Sequence, residues 1–201
     1  MIPFDPDRIR VQARRYTVVK RWDDADTCYE NLTSTFSPRN PHYFREWGDM
    51  LCSMGDFVSA KRKYEYAISI DPKSAIGFQS LGDLYVNKTD SMADAVRCFE
   101  ESLSLGGQLN QSQIAVLCDA YFSSKRYRSF LNTSEMLLAY GPVDFPFHLR
   151  RSEAYYYLKE FDLALGEAVR SMSVADFGQI ESASDLIQRI EDQIRKMTVD
   201  H

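Results

Sequence analysis

The chain has 201 residues, 44% hydrophobic and 26% charged, with a formal net charge of −5 and a pI near 5.3. That balance belongs to an ordinary folded protein, with room for one large-cored domain or about five 34-residue repeats and a cap. The acidic excess argues against a general affinity for nucleic acid or anionic membrane.

The opening, Met1-Ile-Pro-Phe-Asp5, lacks the apolar core of a signal peptide, and no run approaches the ~18 apolar residues of a membrane span, so the chain reads as cytoplasmic. Asp5-Pro6 has the form of a helix start, with Asp as N-cap and Pro in the first turn. The spacing predicts a first helix carrying Ile9, Ala13 and Tyr16, then a second opened by Trp22 and carrying Ala25, Tyr29 and Leu32. Ser37-Pro38-Arg39-Asn40-Pro41 is a breaker cluster.

After it the chain says one thing twice. Phe44, Trp47, Gly48 and Leu51 precede Ala60, Tyr64, Ala67 and Pro72, and then Phe78, Leu81, Gly82 and Tyr85 precede Ala95 and Phe99. The copies are offset by 34 residues at the glycines and by 35 at Ala60 and Ala95. In each first helix the apolar slots recur at helical offsets. Gly48 and Gly82 leave room for a neighbouring helix to come close, and Tyr64 and Phe99 fill the space beside it. Gly55-Asp56 ends one helix and caps the next, while an extra residue around Lys88–Ser91 lengthens the corresponding turn of the following copy.

These residues and this period resemble the tetratricopeptide repeat, W-x2-L-G-x2-Y, then A-x3-F, then Pro. A fourth unit keeps Leu117, Cys118 and Tyr121 but carries Phe130 and Ser134 where Ala and an aromatic are expected, Ser134 being the candidate small neighbour of the bulky Phe130. A fifth returns with Tyr155, Phe161, Ala164 and Ala168, although His148 and Arg151 fall in apolar slots. Leu186, Ile187, Ile190 and Ile194 then form one stripe on a polar helix, as the end of a repeat array requires, the reading beside it being an amphipathic helix for a membrane or coiled-coil partner. The resemblance implies an all-α helical-hairpin solenoid with a right-handed superhelix, read as a single domain over 1–201. Its repeats fall at about 6–40, 41–74, 75–110, 111–144 and 145–178, with a capping helix at about 181–198.

No catalytic or metal constellation stands out. His42, His148 and His201 are scattered, there is no phosphate loop or G-x-S-x-G, and Cys28, Cys52, Cys98 and Cys118 form no C-x-x-C and suit helix packing as reduced thiols. The expectation is therefore a non-enzyme without cofactor. The resemblance implies a protein-interaction module that takes a peptide or helix of a partner in its concave groove. The readings beside it are a dedicated chaperone of a secreted or assembly partner and a structural subunit of a larger complex.

The lysine-asparagine-arginine clamp that some family members use for a terminal carboxylate is missing, its places being held by Arg10, Arg14, Ser80, Ser112 and Val116. Helix geometry puts the packing slots on one side of each first helix and Arg14, Asp49, Asp83, Asp119 and Glu153 on the other. Beside that line run Arg10, Arg45, Gln79 and Leu149, then Phe122, Tyr156 and Tyr157. The expected partner is a segment carrying Lys or Arg opposite the carboxylates and an apolar anchor beside the rings.

Overall fold

The structure, a computed structural model, describes residues 5–88, 91–176 and 178–199. Thr89 and Asp90 of the lengthened third turn, the first four residues and His201 lie outside the described residues. The described residues are helical with no strand, and they divide into two compact units, one through Leu109 and one from Asn110.

The first unit holds three antiparallel hairpins: α1 (Pro6–Val18) with α2 (Trp22–Asn31), α3 (Pro41–Met54) with α4 (Phe57–Ile70), and α5 (Ala75–Lys88) with α6 (Met92–Ser104). Asp5 and Asp56 cap their helices as the sequence advertises, and Asn40 of the breaker cluster adds a third cap. Asp5 accepts from the Asp7 amide with Pro6 at the first helical position, Asn40 accepts from His42 ahead of Pro41, and Asp56 accepts from Ser59. One local feature was not legible beforehand: α2 runs on into a π-turn over Leu32–Phe36. There the Thr33 and Ser34 hydroxyls donate back to the carbonyls of Tyr29 and Glu30 at 2.9 and 2.7 Å, drawing those carbonyls away from an ordinary helical ladder.

The expected close approach is real. A Cβ on Gly48 would lie 2.5 Å from the Tyr64 ring, and one on Gly82 would lie 2.5 Å from the Phe99 ring. In this unit Gly48 is set against the buried Tyr64 ring and Gly82 against Phe99, and Ala13 and Tyr29, both buried in the same core, hold the matching slots of the first hairpin. The core grows between these pairs from Phe44, Trp47, Met50, Leu51, Leu81 and Leu84.

The second unit holds α7 (Gln111–Ser123) with α8 (Tyr127–Leu138), α9 (Phe145–Tyr157) with α10 (Phe161–Ser173), and the last helix α11 (Ile180–Val199). Here the packing rule changes. Cys118 and Ser152 hold the first-helix slot, and Ser134 and Ala168 replace the aromatic opposite. Phe130 is fully buried one turn earlier, and the space beside Ser134 is taken by Arg151, whose Nη1 donates to the Ser134 hydroxyl. On α11, Leu186 and Ile190 bury against Ala164 and Ala168, flanked by Ile187 and Ile194, while Asp185, Gln188, Arg189 and Asp192 stay exposed. The stripe therefore covers the second helix of the last hairpin, as its pattern predicts.

Four turns inside hairpins share one backbone feature. The seventh residue after the first-helix slot is left-handed: Lys20 (φ 58°), Gly55 (97°), Lys125 (59°) and Lys159 (62°). This conformation costs an L-residue about 1–2 kcal/mol that glycine does not lose, against about 0.5–1 kcal/mol of extra chain entropy that glycine gives up. Lys20→Gly is therefore expected to stabilise by about 0.5 kcal/mol and raise the thermal midpoint by about 1–2 °C, with Lys20→Ala leaving it unchanged. A calorimetric midpoint that falls in Lys20→Gly would contradict the left-handed turn.

Candidate functional site

The residues expected to form a partner-binding face are distributed over both units, and each unit assembles its own set. In the first, Arg10 and Arg14 lie one turn apart on α1 and converge on Glu46 of α3, which is 5% exposed. Arg10 Nε donates to both carboxylate oxygens at 3.1 and 3.0 Å, Arg14 Nε donates at 3.1 Å, and both Nη2 groups add shorter bonds. Arg45 sits 4.0 Å from the same carboxylate and donates from Nη1 to Asp49 at 2.7 Å. Burial alone would raise the Glu46 carboxyl, but the bonds from Arg10 and Arg14 outweigh it and hold Glu46 below the usual carboxylate range. Arg10 and Arg14 therefore tie α1 to α3 through one buried acid, with Arg45 of α3 beside it.

Asp49 also accepts from the buried Tyr64 hydroxyl at 2.8 Å, and burial raises its carboxyl. Beside it a cleft of about 310 Å3 is lined by Asp49, Cys52, Tyr64, Ser80, Asp83, Leu84 and Asn87. It brings two of the expected carboxylates together with hydroxyl and amide groups. Gln79 is otherwise engaged, donating to the Ser102 hydroxyl at 2.9 Å and to the Gln108 carbonyl at 3.1 Å.

In the second unit the rings expected along the chain are joined through a residue that sequence reasoning missed. Tyr127, at the start of α8, stacks on Tyr157 with centroids 4.9 Å apart and planes 7° apart. Tyr127 also meets Phe122 edge-on at 5.8 Å, and Tyr157 meets Tyr156 edge-on at 5.8 Å. The result is an unbroken aromatic line across α7, α8 and α9, on which Tyr157 is 55% exposed. The charges beside it are paired or covered. Arg150 pairs with Asp119 and lies 6.0 Å over Phe122, and Arg189 of α11 lies 5.2 Å over Tyr156. Burial pushes the Glu153 carboxyl up, opposed by Arg189 and Arg150. Leu149 and Tyr156 are part of the packing under α11, so the last helix takes up surface that the sequence assigned to the groove.

Behind that line lies a buried polar network that the sequence signals only as cations in apolar slots. Arg151 and Glu167 are both 3% exposed. Arg151 Nη2 donates to Glu135 at 2.6 Å and to Glu167 at 3.2 Å, while Glu167 also takes His148 Nδ1 at 2.8 Å and Arg170 Nη1 at 2.8 Å. Three helices, α8, α9 and α10, are pinned by this one acid and one base. Burial would raise Glu167, but His148, Arg151 and Arg170 outweigh it and keep the carboxyl low. No set of three His, Cys, Asp or Glu among the described residues is gathered for a metal, and no described helix is long and apolar enough to cross a membrane. None of the four cysteines is in a disulfide, and burial raises the Cys118 thiol to about 12 and Cys98 to about 11, which suits packing rather than reactivity.

Both networks depend on an ionised acid, which fixes the sign of their pH response. A carboxyl whose folded pKa lies below its unfolded value of 4.5 contributes stability that is present above that value and lost as pH falls through the folded one. The thermal midpoint is expected to hold from neutral pH to about 5 and then fall. Glu46→Gln should flatten part of that fall. It should also cost about 2 kcal/mol at pH 7, less than a fully buried pair because the half-exposed Arg14 can turn to water. Urea unfolding from pH 3 to 7 checks both, and a Glu46→Gln curve parallel to the parent would contradict the assignment.

No protein-family model matches the sequence, and no curated protein is significantly similar to it. Solved structures do resemble the fold. The C-terminal part of a TPR repeat-containing protein from Cytophaga hutchinsonii superposes with a TM-score of 0.62 at 18% identity, over 98% of this chain and 80% of that one. Pseudomonas aeruginosa pilF gives 0.61 at 17%, over 96% and 83%. YrrB, a TPR protein with an unusual peptide-binding site, gives 0.60 at 16%, over 83% and 84%. At these identities the likeness is one of architecture: the chain has the tetratricopeptide-repeat fold.

Proposed function

We propose that this chain is a non-catalytic protein-interaction scaffold that takes a segment of a partner protein on the open faces of its first helices. The observation that carries the reading is the aromatic line of the second unit, in which Phe122, Tyr127, Tyr157 and Tyr156 brace one another and leave Tyr157 exposed. Tyrosine in such settings supplies large contact area at low entropic cost, which is why it is enriched among the residues that dominate binding energy at protein interfaces. The peptide-binding site of YrrB supports the same reading by likeness of fold.

In the first unit the cleft containing Asp49 and Asp83 is the proposed seat of a basic side chain. Each exposed charge pair there adds about 0–1 kcal/mol, so it governs encounter more than affinity. The apolar anchor at the rings carries most of the binding energy.

A photo-crosslinking residue placed at Tyr157, and separately at Asp83, in an extract of the native cell would catch the partner and map its contact. With that partner in hand, Asp83→Lys is expected to slow association and to weaken its salt dependence. Tyr157→Ala should raise the dissociation rate about tenfold. Unchanged rates in both folded variants would move the binding site away from these faces.

A further inference from the structure

The aromatic line of the second unit ends at an edge whose charge is opposite to that of the chain. Two hairpin turns meet there, Ser124–Arg126 between α7 and α8 and Leu158–Glu160 between α9 and α10. They are held side by side by the Tyr127–Tyr157 stack and by the pair from Arg128 Nη2 to Glu160 Oε1 at 2.8 Å. Both turns put a lysine at the same left-handed position, Lys125 and Lys159, and both lysines are exposed. With Arg126 and Arg128 the edge carries four cations, against Glu153, Glu160 and Asp162. An acidic protein, −5 overall, thus presents a locally positive rim around exposed tyrosine.

Resting on the interaction reading above, we propose that this edge is the docking site for an acidic segment of a partner protein, one in which an apolar side chain is flanked by Asp or Glu. The apolar group would lie on the exposed Tyr157 ring, and the flanking carboxylates would meet Lys125 and Lys159. Three features set the class. The ring faces are hydrophobic but end in hydroxyls, so they suit a side chain that arrives with polar neighbours. Arginine and lysine at a rim steer carboxylates by long-range attraction. A single-stranded nucleic acid would also find rings and cations, but the −5 chain and the carboxylates of Glu153, Glu160 and Asp162 around the same rings oppose a continuous phosphate backbone. The preference differs from the one proposed above for the Asp49–Asp83 cleft of the first unit, whose carboxylates suit a cation.

The test begins with a random 12-residue peptide library displayed on phage and sorted on the intact protein. Recovered peptides are then labelled with fluorescein and titrated by anisotropy at low and high salt, beside a labelled 12-mer of oligouridine. The expected result is enrichment of peptides that alternate Asp or Glu with aromatic or aliphatic residues, with affinity that falls as salt rises. Lys125→Gly with Lys159→Gly removes both charges without straining either turn and should weaken those peptides about tenfold, as should Tyr157→Ala. Circular dichroism and the thermal midpoint confirm that the variants fold. Recovery of basic peptides that depend on Asp83, with no acidic peptide among those enriched, would overturn this inference and leave the interaction reading standing. Acidic peptides indifferent to all three substitutions, or tighter binding of oligouridine than of any peptide, would also overturn it. No enrichment of any peptide would overturn both.

Discussion

The distance between the two helices of a hairpin is the constraint on which the rest of the molecule depends. At Gly48 and Gly82 the backbone of the first helix lies against the ring of Tyr64 or Phe99 so closely that a methyl group has no room. The approach places Leu51 and Leu84 in the core beside them and sets the opposite side of the helix, with Asp49 and Asp83, toward a cleft. A small residue opposite a large one is thus both the packing rule and the reason a polar face is left over. Interiors packed at this density transmit even one added carbon, so the pairing has to be kept or exchanged as a pair.

The second unit shows the exchange. Ser134 and Ala168 replace the aromatic of the second helix, and the volume is restored by Phe130 one turn earlier and by the long side chain of Arg151. A guanidinium in that place needs an anion, and Glu167 supplies it, with His148 and Arg170 completing the shell. In the first unit Glu46 plays the mirrored part, an acid that needs the arginines of the preceding hairpin. Hydrophobic pairing and buried ion pairing therefore answer the same geometric question, with different dependence on pH.

Much of this was legible in the chain, and the reasons are local. Asp5-Pro6 and Gly55-Asp56 act through their own backbone, so the helix limits they announce are where the structure has them. The pairing of Gly48 with Tyr64 follows from a repeat period. Other features were not legible because they depend on which residues meet across the chain. Glu46 reads as one acid in the stripe Tyr43–Trp47–Met50, and only the arginine pair one turn apart on α1 hints at its role. Tyr127 merely begins a helix in the sequence, yet it joins Phe122 to Tyr157 and so makes one surface of separate rings. The acid line is periodic on paper, but in the folded chain Asp49 is bonded to Tyr64 and Arg45 and Asp119 is paired with Arg150.

The surfaces follow from the same packing, since side chains that are not needed between helices are the ones left to meet a partner. The most direct measurement is therefore on the packing itself: a double-mutant cycle in urea unfolding with Gly82→Ala, Phe99→Leu and the two together. If the methyl group on residue 82 is harmful because of the ring, the double variant should be at least about 1 kcal/mol more stable than the sum of the single changes implies. Strict additivity would mean that the glycine is needed for some reason other than the aromatic opposite, and would contradict the account.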